Sequence, residues 1–241
     1  MNFSVILNSR GRPHYLVSLL DSIFSKAKSP DLIEVLIKLD DDDYATINTI
    51  GLLEMVNSNL NITISPRPSN LHVTINELAA ISTGDFLFVI NDDVIFDTED
   101  WDSIILEKAS AKFKENGDKV LYIGVGDTSI DKANDGKYAS FPIISRESYE
   151  VLGYFMSEQF VGLGGDVFIY RVFEGVDRVL QVGEVVLDHL LHLTLDQINN
   201  PDPTNFDMRQ NTYRNLTNGS PWELDISEEL RLLNEKIANS I

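Results

Sequence analysis

Gly84-Asp85-Phe86-Leu87-Phe88-Val89-Ile90-Asn91-Asp92-Asp93-Val94 is the stretch whose reading decides the fold. Residues 86–90 form an unbroken apolar run with the length and composition of a strand buried on both faces. The run ends in Asn91, Asp92 and Asp93. Carboxylates resist desolvation, so acids at the end of a core strand call for a counter-charge, and a divalent cation with oxygen ligands supplies one. In open parallel sheets, ligands sit outside the carboxyl ends of the strands. A cation held there suits a phosphorylated substrate. The plainer reading, a solvated surface turn, is open to two acids taken alone, and the surrounding pattern must separate the two.

That pattern alternates. Upstream, Phe-Ser-Val-Ile-Leu-Asn at residues 3–8 reads as a strand, and Ser9-Arg10-Gly11-Arg12-Pro13 as a turn into a helix with Pro13 in its first turn. Leu16, Leu19, Leu20, Ile23 and Phe24 recur at helical spacing. A second strand, 33–39, runs into Asp40-Asp41-Asp42-Asp43, and a helix over 44–56 and a strand over 62–65 follow. Ser69 is placed to cap a helix over 71–82 that leads back to the opening stretch. Downstream, Thr98 is placed to cap a helix over 99–115 that buries Trp101, Ile105, Ala109 and Phe113. Residues 120–125 and 141–144 read as strands, with Ser145 capping a short helix. Residues 126–137 read as a loop over the site, 167–173 as an amphipathic segment, 178–186 as a strand pair, and 226–237 as a last helix. Strands alternating with helices predict an α/β fold, a doubly wound and mostly parallel sheet flanked by helices.

Composition sets the limits. The chain has 241 residues, 43% of them hydrophobic, a size that fits one domain with a C-terminal appendage. It has no apolar run of membrane-spanning length, and its first residues are strand-like, so the expectation is a cytoplasmic protein with no membrane span. The absence of cysteine excludes disulfides, thiolate zinc sites and a cysteine nucleophile. A formal net charge of -19 with no basic stripe excludes nucleic acid as a partner. The same charge bears on phosphate. At about 4 Å and an effective dielectric near 20, each carboxylate–phosphate contact costs roughly 4 kcal/mol. An acidic chain that binds a diphosphate therefore needs a metal, local arginines, or both.

In this order, residues 3–192 resemble the nucleotide-sugar glycosyltransferases of the GT-A fold, the family 2-like type. Ser9 and Arg10 look like part of the first nucleotide loop, and Asp40 and Asp42 stand where that family holds the base or ribose. Asn76 resembles the asparagine of the helix before the metal strand, and Asn91-Asp92-Asp93 takes the place of the DXD motif. The first DXD position is Asn91, a poorer cation ligand than a carboxylate, which shifts the metal to Asp93 and leaves Asp92 facing the sugar or a metal-bound water. Only Asp166 remains of the acidic pair near the acceptor helix, so it is the candidate catalytic base. His189, after an apolar strand, matches the late metal-binding histidine, with His192 as the fallback.

The resemblance implies a glycosyltransferase, with a hexosyl group as expected cargo, moving sugar from a nucleoside diphosphate sugar (UDP-sugar favoured) to a glycan or other hydroxyl acceptor. Inversion and Mn²⁺ or Mg²⁺ dependence are implied with it. It also implies a domain over 1–198, divided near residue 97 into nucleotide-binding and acceptor halves, with 199–241 as an extension packed on the same domain. Arg10, Arg12 and Arg67 are the phosphate candidates because guanidinium engages phosphate bidentately, and Arg10 is favoured by its place at the first strand-to-helix switch. The competing readings are structural: a capping cluster at 40–43, a helix cap at Asp166, a packed histidine at 189, and core or site-covering roles for Tyr213 and Trp222. Two other functions are weighed. A sugar nucleotidyltransferase needs a lysine-bearing glycine-rich loop, and residues 9–13 have one glycine and no lysine. A binding module that kept the fold and lost catalysis is consistent with Asn91 and the lone Asp166.

Overall fold

The computed structural model describes residues 1–55, 57–128, 139–160, 164–190 and 224–240. The expected loop beyond residue 128, Gly162, Leu163, His192 and the irregular stretch with Tyr213 and Trp222 lie outside the described residues.

The strands are β1 (Phe3–Ser9), β2 (Ile33–Asp40), β3 (Leu60–Ser65), β4 (Phe86–Val89), β5 (Val94–Phe96), β6 (Tyr122–Asp127), β7 (Ile143–Ser145) and β8 (Val179–His189). The α-helices are α1 (Pro13–Ser25), α2 (Tyr44–Glu54), α3 (Leu71–Ile81), α4 (Trp101–Asn116), α5 (Arg146–Leu152), α6 (Gly165–Glu174) and α7 (Ser227–Ala238). One sheet runs in the order β3-β2-β1-β4-β7-β6-β8-β5. Its first four strands are parallel, β7 is antiparallel to β4 and β6, and β8 runs parallel to β6 and antiparallel to β5.

Both faces are covered, as the continuous apolar strands require. Phe3, Val5, Leu7, Phe86 and Phe88 point to one core with α1 and α4, where Trp101 is fully buried and donates Nε1–H to Ile23 O at 3.0 Å. Ile6, Leu36, Leu87 and Val89 point to the other, with α3, α5, α6 and Leu233 of α7. Gly84 has no side chain because Ser4 N lies 2.5 Å from where a Cβ would stand. Among the described residues, no helix is long and apolar enough to cross a membrane.

Four details differ from expectation, each for a local reason. Asn70, not Ser69, caps α3, its side chain accepting from His72 N. Thr98 does not cap α4: its hydroxyl accepts from Val186 N at 2.9 Å and donates to Glu184 O at 3.2 Å. Both groups lie at the register shift that skips residues 183–185 of β8. For the same reason the expected strand pair over 178–186 is one irregular strand, since Gly183 marks a bulge and not a turn. Finally, β5 exists. Residues 90–93 alone join β4 to β5, although β7, β6 and β8 lie between them in the sheet. Four strand spacings in a flat sheet would be about 19 Å, so the sheet curls until its β5 edge approaches central β4.

Candidate active site

Register alone brings the site together. In the β1–β4 ladder Ile6 pairs with Val89, so three residues on, Ser9 is level with Asp92, and Ser9 Oγ donates to Asp92 Oδ2 at 2.7 Å. In the β5–β8 ladder Val94 pairs with His189, which sets His189 beside Asp93, and Leu190 N donates to Asp93 O at 2.9 Å. In the β1–β2 ladder Ser9 pairs with Leu39, so Arg10 is level with Asp40.

Asp92 is buried, and desolvation pushes its pKa up to about 6, with Arg12 holding it from rising further. The Arg12 guanidinium bridges the pair, Nη1 lying 3.0 Å from Asp92 Oδ1 and 3.2 Å from Asp93 Oδ2. Burial also pulls Asp93 upward, but His189 and Arg12 outweigh it and hold this carboxyl below its usual range. Asp93 Oδ1 is buried and makes no hydrogen bond among the described residues. It lies 3.5 Å from His189 Nε2, an ion-pair distance and too long for a good hydrogen bond. On the far side of the ring, His189 Nδ1 lies 3.6 Å from Asp127 Oδ2. Desolvation lowers the His189 pKa, yet the carboxylates of Asp127 and Asp93 raise it more, to about 9.

A buried carboxylate oxygen without a hydrogen bond, facing an imidazole nitrogen, is a donor set that fits a divalent cation. Two ligands of one ion, each at about 2.1 Å, lie about 3 to 4 Å apart, and the Asp93–His189 gap has that width. Among the described residues there is no group of three metal-ligating side chains. Water and substrate oxygens can supply further coordination, as is usual for Mg²⁺-type sites.

The second cluster sits at the end of β2. Asp40 is buried and accepts from Lys38 Nζ through one oxygen and from Arg10 Nη1 at 3.0 Å through the other, with Arg67 Nε 4.0 Å away. Arg10 also grips Asp42 through both oxygens, which raises the arginine pKa and lowers that of Asp42. Asp43 caps α2 by accepting from Thr46 N and also takes Gly11 N at 2.6 Å, Gly11 standing at φ +67°. The acidic run is thus divided: Asp43 is a cap, Asp41 is exposed, and Asp40 and Asp42 fix Arg10.

The remaining expected residues are Asn91, Asn76 and Asp166. Asn91 is exposed. Asn76 spends its amide on residues 155–158, accepting from Phe155 N and Met156 N and donating to Met156 O and to the Glu158 side chain at Oε1. Asp166 lies in the first turn of α6, where Gly164 and not Asp166 is the N-cap. Burial raises its pKa, against backbone hydrogen bonds, that from Val167 foremost. Lys38 and Asp127 were missed by the sequence reading. Asp127 closes the apolar run of β6 just as Asp40 closes β2, a signal already in use, and Lys38 gave none, being a lone cation inside a strand.

Residues 4–173, more than half of the chain, match Glycosyl transferase family 2. No curated protein matches the sequence. Among solved structures the chain is similar to the mannosyltransferase PcManGT from Pyrobaculum calidifontis in complex with GDP-Man and Mn²⁺, with a TM-score of 0.59 and 16% identity over 99% of this chain and 73% of that one. It is also similar to S. aureus TarS 1-349, with a TM-score of 0.56 and 14% identity over 100% of this chain and 71% of that one. The same TarS fragment in complex with UDP-GlcNAc gives a TM-score of 0.58 at 14% identity, over 100% of this chain and 72% of that one. At such identities the likeness is one of fold.

Proposed function

The chain belongs to Glycosyl transferase family 2, and on that premise we propose that it moves a sugar from a UDP-sugar to an acceptor hydroxyl with inversion, using Mn²⁺ or Mg²⁺. The observation that carries the reading is Asp93 Oδ1, buried, without a hydrogen bond and 3.5 Å from His189 Nε2. Asp93 and His189 would hold the cation. When bound, it would supply Lewis-acid neutralisation of the departing diphosphate.

The chain's own groups do the rest. Arg12 balances the acids of the free protein and turns to the diphosphate when the donor arrives, since guanidinium matches phosphate oxygens better than a point charge does. Arg10 and Arg67, fixed by Asp40 and Asp42, hold the nucleoside side of the donor. Ser9 keeps Asp92 oriented toward the sugar, with exposed Asn91 beside it. Asn76 acts by positioning, through its four hydrogen bonds to residues 155–158. Asp166 takes the proton of the acceptor hydroxyl as the new C1–O bond forms and the bond to the diphosphate breaks. A carboxylate whose pKa is raised by burial is the stronger base. The reading includes a cytoplasmic site of action, with donor contacts within residues 1–97, acceptor contacts within 98–198, and residues 199–241 as an extension of the same domain.

Purified protein with Mn²⁺ and a panel of UDP- and GDP-sugars should release the nucleoside diphosphate from at least one UDP-sugar. Asp93→Ala should abolish that release while melting within a few degrees of wild type. Undiminished turnover in the variant would refute the metal reading.

A further inference from the structure

Asp127 is a carboxylate at the end of β6 whose side chain is only 1% exposed, and neither the donor contacts nor the proton transfer above uses it. Burying such a group is costly unless it is compensated. Its Oδ2 lies 3.6 Å from Nδ1 of His189, and the opposite nitrogen of that ring faces Asp93 Oδ1 at 3.5 Å. Three further contacts define how the ring sits. Phe141 meets it edge-on at a centroid distance of 5.0 Å and an interplanar angle of 70°. Thr128 Oγ1 accepts from His189 N at 3.2 Å and donates to Asp188 Oδ1 at 2.8 Å, tying the end of β8 to the residue after Asp127.

We propose that Asp127 is the positioning residue for His189, holding the Nδ1 side of the ring so that Nε2 is turned toward Asp93 Oδ1. The inference rests on the metal-dependent reading above. An imidazole has two nitrogens, and it ligates through the one that is turned toward the ion; the approach of Asp127 Oδ2 to Nδ1 is, like that of Asp93 Oδ1 to Nε2, an ion-pair distance. A carboxylate facing the far nitrogen fixes the ring plane before the ion arrives, and it keeps the proton on Nδ1 when binding displaces the one on Nε2. The curl of the sheet makes this possible: β6 delivers the carboxylate, β8 the imidazole, and the turn after β4 the second carboxylate. Asp127 touches no reacting atom, and its effect passes through His189.

The test is Mn²⁺ binding in the presence of UDP, read by electron paramagnetic resonance of the free ion, on wild type, Asp127→Asn, Asp127→Ala and His189→Ala. Loss of an orienting carboxylate costs metal affinity about 10- to 100-fold. That drop is expected in Asp127→Asn, with metal-free UDP binding unchanged. Spin-echo modulation from a bound imidazole nitrogen should be present in wild type, weakened in the Asp127 variants and absent in His189→Ala, a signature that a purely structural role would not move. Mn²⁺ affinity within twofold of wild type in Asp127→Asn, with the nitrogen modulation intact, overturns the assignment while leaving the metal reading in place. Wild type that binds no Mn²⁺ with UDP overturns both. Should Asp127→Ala fail to fold, the isosteric Asn variant decides.

Discussion

Replacing Arg12 with methionine should make the protein's stability depend on pH in a way wild type does not. Asp92 is buried with its pKa near 6, and Arg12 is the cation that keeps it from climbing further. A carboxyl whose folded pKa lies above its unfolded value contributes stability below the unfolded pKa and loses it as pH rises through the folded one. In wild type this loss runs from about pH 4 to about pH 6 and then levels off at about 3 kcal/mol, at about 1.4 kcal/mol per unit from a reference near 3.9. Without Arg12 the group stays protonated past pH 6 and the loss keeps growing, reaching about 4 kcal/mol at pH 7. Beyond a constant offset, the difference between variant and wild type is therefore smallest at pH 5 and grows above pH 6, by up to about 1.4 kcal/mol per pH unit. Asp93 keeps His189 and adds only an offset that is flat above pH 5. Urea unfolding at pH 5, 7 and 8 measures the difference directly. A difference that is constant across them, or larger at pH 5 than at pH 8, would refute the assignment of Arg12 as the counter-ion of buried Asp92.

Asp166→Asn should lower kcat by about 10²- to 10⁴-fold, the usual worth of a general base, without weakening UDP-sugar binding by calorimetry. Because burial raises the Asp166 pKa, the acid limb of the wild-type rate profile should lie above the ordinary carboxylate range, the rate falling as pH drops and the base protonates. Trp101→Ala removes a fully buried ring packed against Phe3, Phe88 and Phe96. It should destabilise the fold by about 3 to 5 kcal/mol in chemical denaturation, far more than any change at the exposed Asn91.

Most of the strand–helix order was readable because each strand of the parallel half is an apolar run ended by acid or a turn, a local signal. The parts that escaped are set by pairing partners distant in sequence. Three residues over 94–96 carry no period of their own, and only β8 makes them a strand. Gly183 looks like a turn until the neighbouring ladder shows it to be a bulge. The same holds at the site. Acids at strand ends marked Asp40, Asp92 and Asp93, but which arginine meets which acid is a matter of register: of the phosphate candidates Arg10, Arg12 and Arg67, Arg10 is held by Asp40 and Asp42, and Arg12 reaches the acids after β4. Asn76 was placed in the right helix, and no sequence signal told that its amide would be taken up by the chain after α5.

The connection from β4 to β5 has a consequence for how such a site can diversify. Four residues close the gap between a central strand and the far margin of a curled sheet, so the segment carrying Asn91, Asp92 and Asp93 is under a length constraint at both ends. Exchange of the side chain at position 91 leaves the span intact, because the residue is exposed. Adding or deleting one residue there would unfasten the rim and separate the histidine strand from its acid. Chemistry in this corner is therefore tuned by exchange of side chains and closed to insertion.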